Sequence, residues 1–329
     1  MTTPRRPATW VAGCLTAGAL LIASGQTPTQ AGTADDRCSD RGPIPASALA
    51  RSAVEAGCSL VGRVVYAGRV SVVVPPPGMT VSGEGVGRHA AVPGLRVTNT
   101  GAGVRAVVGT ARGRGRVEAK RGTSAPACKD RTFHLEPGAA PWVTSLRYSV
   151  NLSKAPADAH KVTLVDQIKA ADANVRKGRN TCGKPHLATP AAHYLGRSSV
   201  RPHITASSSF VSCGTYDTKN VVAFGDLPSG LLGWTCNWWS GTTHLSAADI
   251  LMDNGASMAT ELPTDCFDIW DFEGVVTHEM GHVYGMAHTG SGSGHDNLTM
   301  QHELTPCSTY ARTLGLGDWL GMKKMYGVR

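Results

Sequence analysis

The sequence predicts a mixed α/β protein of the α+β type, and three observations carry that prediction. Between Cys38 and about Val108 the chain is short of helical periodicity and rich in strand formers. Farther on, Leu146, Tyr148, Val150 and Leu152 alternate as in a half-buried strand, and Leu164, Ile168, Ala171 and Val175 then recur at helical spacing. Near the C-terminus, His278-Glu279-Met280-Gly281-His282-Val283-Tyr284-Gly285-Met286-Ala287-His288 sets two histidines one helical turn apart. Val276, Met280 and Val283 form an apolar stripe on the other face of that helix.

At 329 residues the chain has room for about two domains. Residues 1–34 read as a secretion signal: Arg5 and Arg6, then an apolar run from Trp10 to Gly25, then small residues around Ala31 and Ala34. The run is shorter than the roughly 20 residues a spanning helix needs, so no integral membrane segment is expected in the mature chain. Cys14 leaves with the signal. The remaining Cys38, Cys58, Cys128, Cys182, Cys213, Cys236, Cys266 and Cys307 suit an oxidising, extracellular compartment. Eight cysteines allow 105 pairings; pairing in chain order, including Cys213–Cys236 and Cys266–Cys307, is the expectation. The formal charge is +8. With no nucleic-acid motif beside it, that charge reads as a solvated basic face, and no nucleic-acid partner is expected.

Residues 35–109 are expected to be a β-rich N-terminal region, either an accessory domain or a pro-segment. Val64–Tyr66, Val70–Val74 and Leu95–Val97 read as strands, and Pro75-Pro76-Pro77-Gly78 breaks the run. Residues 110–127 are a Gly/Arg-rich linker containing Arg112, Arg114 and Arg116, a composition that invites proteolytic nicking. A second domain is expected over 128–329. Its first helix should start near Asp158 and close at Arg176-Lys177-Gly178. Val221–Phe224 reads as a core strand. The aromatic-rich Gly233–Trp239 stretch reads as core or disulfide packing, with a ligand groove as the sharper alternative. Asp271 is a candidate N-cap for the histidine helix.

On that helix, two imidazoles on one face can hold a tetrahedral zinc at about 2.0–2.1 Å. Gly285 can take the left-handed conformation that stops the helix, so the chain could turn back and offer His288 as a third ligand. Glu279, beside the first ligand, is placed to take a proton from a metal-activated water. A structural metal site has no use for such a base, which argues against a purely structural zinc.

The segment resembles the signature of the metzincin zinc endopeptidases, H-E-x-x-H-x-x-G-x-x-H followed by a methionine turn, here Asn297-Leu298-Thr299-Met300. The tail from Leu314 to Gly327 is similar to the closing helix of the matrixin-like branch, bacterial secreted type. The resemblance covers roughly Ser145 to Arg329. It implies a zincin-like catalytic domain with a twisted mixed sheet, an active-site helix and a small C-terminal subdomain. It implies one catalytic zinc on His278, His282 and His288, with Glu279 as general base in peptide-bond hydrolysis. A polypeptide substrate would pair with a cleft-bordering strand, expected at Ala248–Asp253. Met300 would pack beneath the histidines without ligating.

Cys182-Gly183-Lys184-Pro185 resembles the family's cysteine switch. It lies after the first catalytic helix, however, and reads instead as half of a disulfide. Asp265, Asp268 and Asp271 raise calcium as an uncommitted second ion. His295 and His302 lie near the methionine turn, and His302 is a candidate for transition-state stabilisation. The alternative function is a zinc-dependent hydrolase of cell-wall peptide or amide bonds.

Overall fold

The computed structural model describes residues 42–49, 59–88, 92–109, 126–136, 138, 141–241, 244–290 and 294–329. The expected signal, Cys38, Cys58 and nearly all of the 110–127 linker lie outside the described residues.

Strand-forming runs become strands, and the central ones, such as those over 221–225, 233–240 and 244–253, are covered on both faces. In chain order they are β1 (Ile44–Pro45), β2 (Val64–Ala67), β3 (Val70–Val73), β4 (Met79–Glu84), β5 (Leu95–Asn99), β6 (Val104–Val108), β7 (His134–Leu135) and β8 (Leu146–Asn151). After the first helix, Lys161–Lys177, come β9 (Ala192–Arg197), β10 (Ile204–Ser207), β11 (Phe210–Cys213), β12 (Val221–Gly225), β13 (Gly233–Ser240), β14 (His244–Asp253), β15 (Met258–Ala259) and β16 (Trp270–Asp271). The histidine helix, Phe272–Val283, then leads to β17 (Met286–Ala287), and a closing helix spans Leu316–Tyr326. Among the described residues, no helix is long and apolar enough to cross a membrane.

The strands form an eight-stranded sheet, ordered β6-β5-β4-β13-β14-β12-β8-β9, and a five-stranded sheet, β1-β2-β3-β11-β10. Both are mixed. β8, β9, β12 and β14 run parallel, while β4, β5, β6 and β13 pair antiparallel. The architecture is therefore α+β with mixed sheets.

The alternation of side chains sorts each central strand between two cores. Val222 and Phe224 of β12, with Ala248, Ile250 and Met252 of β14, face the helices and pack on Ile168, Val276 and Met280. Val221, Ala223, Ala247 and Leu251 face the other way, onto Val65, Val70 and Val72 of the five-stranded sheet. A strand buried on both faces shows no polar alternation, which is why β12 reads as a continuous apolar run.

The strands of residues 42–109 enter both sheets beside strands of the C-terminal part, β1–β3 in the five-stranded sheet and β4–β6 in the eight-stranded one. β4 pairs with β13 over six positions, from Glu84↔Thr235 to Met79↔Ser240. β3 runs parallel to β11, with Val70 opposite Val211.

Two expectations need correction. Ala248–Asp253 belongs to β14, which is paired with β13 on one side and β12 on the other, so it offers no edge to an extended peptide. The first helix starts two residues later than Asp158 suggests, because the His160 ring accepts the Thr163 amide at 3.3 Å and serves as N-cap. Its end is as expected, with Gly178 left-handed at φ +64. Disulfides join Cys128–Cys182, Cys213–Cys236 and Cys266–Cys307, which is chain order for the six described cysteines. Cys182 is thereby a disulfide half and holds no free thiol.

Candidate metal centre

The histidine helix is fixed at both ends by its own sequence. Asp271 caps it, accepting the Gly274 amide at 2.8 Å, and Arg312 Nε donates to the same carboxylate oxygen at 2.8 Å. At the other end Gly285 takes φ +88 and its amide closes on the His282 carbonyl at 2.8 Å. The chain reverses there into β17, which pairs with β7, and delivers His288 back to the helix.

The three imidazoles converge. His278, His282 and His288 bring their Nε2 atoms to 3.1 Å from one another in all three pairs. His278 Nδ1 lies 2.7 Å from the Thr299 carbonyl and His282 Nδ1 lies 2.8 Å from the Met286 carbonyl. A carbonyl oxygen only accepts, so both Nδ1 atoms carry the proton and both Nε2 lone pairs point at the shared centre. Burial pushes His278 and His288 well below the ordinary imidazole range and His282 down to about 4, so all three are neutral at pH 7. Three neutral imidazoles whose Nε2 atoms converge on one point form a donor set suited to a cation. The 3.1 Å spacing is close to the roughly 3.3 Å edge of a tetrahedral nitrogen site with bonds near 2.05 Å. This group can hold a metal ion, and zinc is compatible with it.

Glu279, the residue after His278 on the helix, is fully buried. The Thr235 hydroxyl donates to its Oε2 at 2.6 Å and the Val86 amide donates to its Oε1 at 3.1 Å. Burial raises its pKa to about 8, against the pull of those two hydrogen bonds. β13 supplies the setting: Trp234, Cys236 and Trp238 point into the far core, while Thr235 and Asn237 point to the helix. Asn237 Nδ2 donates to the His282 carbonyl at 2.8 Å. The tryptophans are thus buried core residues, as the packing reading expects. Gly233 leaves room for the carboxylate, since a Cβ there would stand 2.7 Å from Glu279 Oε1.

Met300 is buried directly beneath the helix, where a Cβ on Gly281 would collide with its Sδ and stand 2.9 Å from its Cε. The closing helix holds this turn through Asp318, which accepts the amides of Thr299 at 2.7 Å, Met300 at 3.2 Å and Gly315 at 2.9 Å. His302 sits 6.2 Å from the His288 ring, centre to centre. His295 is 2.6 Å from Asp130, away from the triangle. Asp271 is committed to its cap and to Arg312. Among the described residues, the three aspartates make no common metal group.

Several contributors carried no signal in the sequence. Glu84 Oε2 lies 3.5 Å from His282 Nδ1 and 3.7 Å from His288 Nδ1, behind the ligand triangle. Burial drives the Glu84 and Glu136 carboxyls upward, and Arg96 stands 3.5 Å from Glu136. A cavity of about 330 Å³ beside His288 is lined by Glu84, Arg96, His134, Glu136 and His302. Glu84, Glu136 and Thr235 are brought to the site by sheet pairing, which no local pattern announces. Asp318 had one cue, its position three residues after Gly315 at a helix start. Comparison of the chain with protein-family models and with curated proteins finds no match.

Proposed function

We propose that this chain is an exported zinc-dependent endopeptidase of the metzincin type, close to the matrixin-like branch. The observation that carries the reading is the convergence of three neutral imidazoles beside a buried carboxylate held by the Thr235 hydroxyl. His278, His282 and His288 would hold the ion. When bound, zinc supplies Lewis-acid polarisation of a carbonyl and a water acidic enough to attack near pH 7. Glu279 takes the proton that the attacking water sheds and passes it to the leaving amine. Its carboxylate must be ionised for this, and positive charge at the triangle favours that state over the neutral one that burial alone selects. Thr235 donates to Oε2, so the carboxylate is oriented before substrate arrives. Met300 and Asp318 act from below, holding Thr299 where its carbonyl orients His278.

The test is casein hydrolysis by the wild type and by Glu279→Gln, each as intact chain and after limited trypsin treatment. Zinc content is measured on every sample. Glu279→Gln is expected to bind one zinc like the wild type and to lose about 10²–10⁴-fold in turnover. Equal turnover in the two proteins would remove Glu279 as the base. Release of soluble fragments from purified cell wall, without casein cleavage, would favour the amide-hydrolase alternative.

A further inference from the structure

An extended peptide is held in a groove by backbone N–H and C=O groups that the walls leave open. Around Glu279 the chain itself engages those groups. After β4 ends at Glu84, the strand direction continues through Gly85 to Arg88 between two walls. On one side the Leu232 amide donates to the Val86 carbonyl at 2.9 Å, and the Arg88 amide donates to the Gly230 carbonyl at 2.8 Å. On the other side the Gly87 amide donates to the His302 carbonyl at 3.0 Å, and the Leu304 amide donates to the Gly87 carbonyl at 3.4 Å. Gly87 is thus bridged antiparallel to Leu231 and parallel to Glu303. Between these walls the Val86 amide reaches the Glu279 carboxylate at 3.1 Å.

The fit is close. Val86 has no exposed surface. A Cβ at Gly85 would stand 2.9 Å from Trp234 Cα, and one at Gly83 would stand 2.7 Å from Trp234 Cζ2. Arg88 then reaches Asp253 at 3.8 Å. The segment has an extended backbone, pairing on both flanks and an amide on the proposed base. Those are the attributes a polypeptide would need in the same place.

We propose that Glu84–Arg88 is an intramolecular occupant of the peptide groove, and that the intact chain is closed to polypeptide until this segment is displaced. The latency rests on the peptidase reading above; the occupancy does not. The blocking element is a backbone strand from the N-terminal region. It is not a thiol on the metal, since Cys182 is tied to Cys128. The covalent tie between the occupant and the histidine helix runs through the 110–125 stretch, whose Arg112, Arg114, Arg116, Lys120 and Arg121 are trypsin sites.

The experiment follows hydrogen exchange at the Leu232 and Leu304 amides together with casein hydrolysis, in the zinc-loaded full chain and in Gly87→Pro. Proline at 87 removes the amide given to His302. Expected are slow exchange and low hydrolysis in the wild type, and at least tenfold faster exchange with at least tenfold higher hydrolysis in Gly87→Pro. Measurable casein hydrolysis by the wild type that already equals that of Gly87→Pro overturns the proposal and leaves the peptidase reading intact. Fast exchange at both amides in the wild type also overturns it. Exchange released in Gly87→Pro without hydrolysis by either protein upholds the occupancy and sinks the peptidase reading. Should Gly87→Pro not fold, the wild type decides. Slow exchange, with casein turnover rising at least tenfold after trypsin cuts between Arg112 and Arg121, upholds the proposal; unchanged turnover overturns it.

Discussion

Gly233 sets how closely β13 and the histidine helix can approach at the base. A methyl group there would meet Glu279 Oε1 at 2.7 Å and Cδ at 2.9 Å, so the carboxylate must move or the strand must retreat. Gly233→Ala is expected to lower casein turnover of the activated protein by about 10²-fold, since a misplacement near 1 Å costs that much. Bound zinc should stay at one per chain. Turnover within twofold of wild type would show that the base tolerates the shift. At this scale the sequence was legible where chemistry is packed into a short stretch. Five residues of one segment name the three converging histidines, the buried carboxylate beside them and the turn. It was silent on Thr235, Glu84 and Val86. Val86 lies 193 residues from Glu279 and offers a main-chain amide that any residue but proline would supply.

The histidine helix shows how one cap supports a whole element. Asp271 satisfies the Gly274 amide and also pairs with Arg312, which Glu273 approaches at 3.5 Å. Asp271→Ala removes a cap worth about 1 kcal/mol and strips a half-buried guanidinium of its main partner. The combined loss expected in urea unfolding is about 2–3 kcal/mol; a change below about 0.5 kcal/mol would contradict the capping role. Element identity was readable wherever one face is polar, as in β8 or the first helix. The role of β14 was not. Its run Ala247–Met252 is buried on both faces, and an apolar strand of that kind does not say which neighbours flank it. The neighbour that displaced it from the cleft, β13, carries its instruction in alternation: Trp234, Cys236 and Trp238 to one core, Thr235 and Asn237 to the helix.

Across the whole molecule, the eight-stranded sheet separates two cores, and charge buried in that sheet couples stability to pH. Burial raises Asp249 to about 7, although the His203 amide at 2.6 Å and the Val221 amide at 2.8 Å pull it down; Asp217 adds to the rise and Lys219 opposes it. The folded state therefore binds this proton more tightly than the unfolded chain, whose aspartate titrates near 3.9. The stability it contributes is complete below about pH 4 and is lost as pH rises through about 7, at up to roughly 1.4 kcal/mol per pH unit. The melting temperature of the wild type should fall relative to Asp249→Asn between pH 4 and 7 and run parallel to it above, as read by calorimetry. A constant difference across that range would remove Asp249 as the source. The pairing of residues 42–109 into the two sheets was not legible, because strand partners across more than a hundred residues are chosen by shape and register, and composition does not encode them. That pairing also governs how the chain acquires its structure. β4 waits for β13, with Glu84 opposite Thr235, and β3 waits for β11, with Val70 opposite Val211. Loops this long close slowly before any contact rewards them. The N-terminal strands pair locally with one another, but their docking onto β11 and β13 is expected to be a late step. The intact chain refolds at a rate independent of its concentration, whereas one severed between 110 and 125 before folding must reunite its halves in a bimolecular encounter.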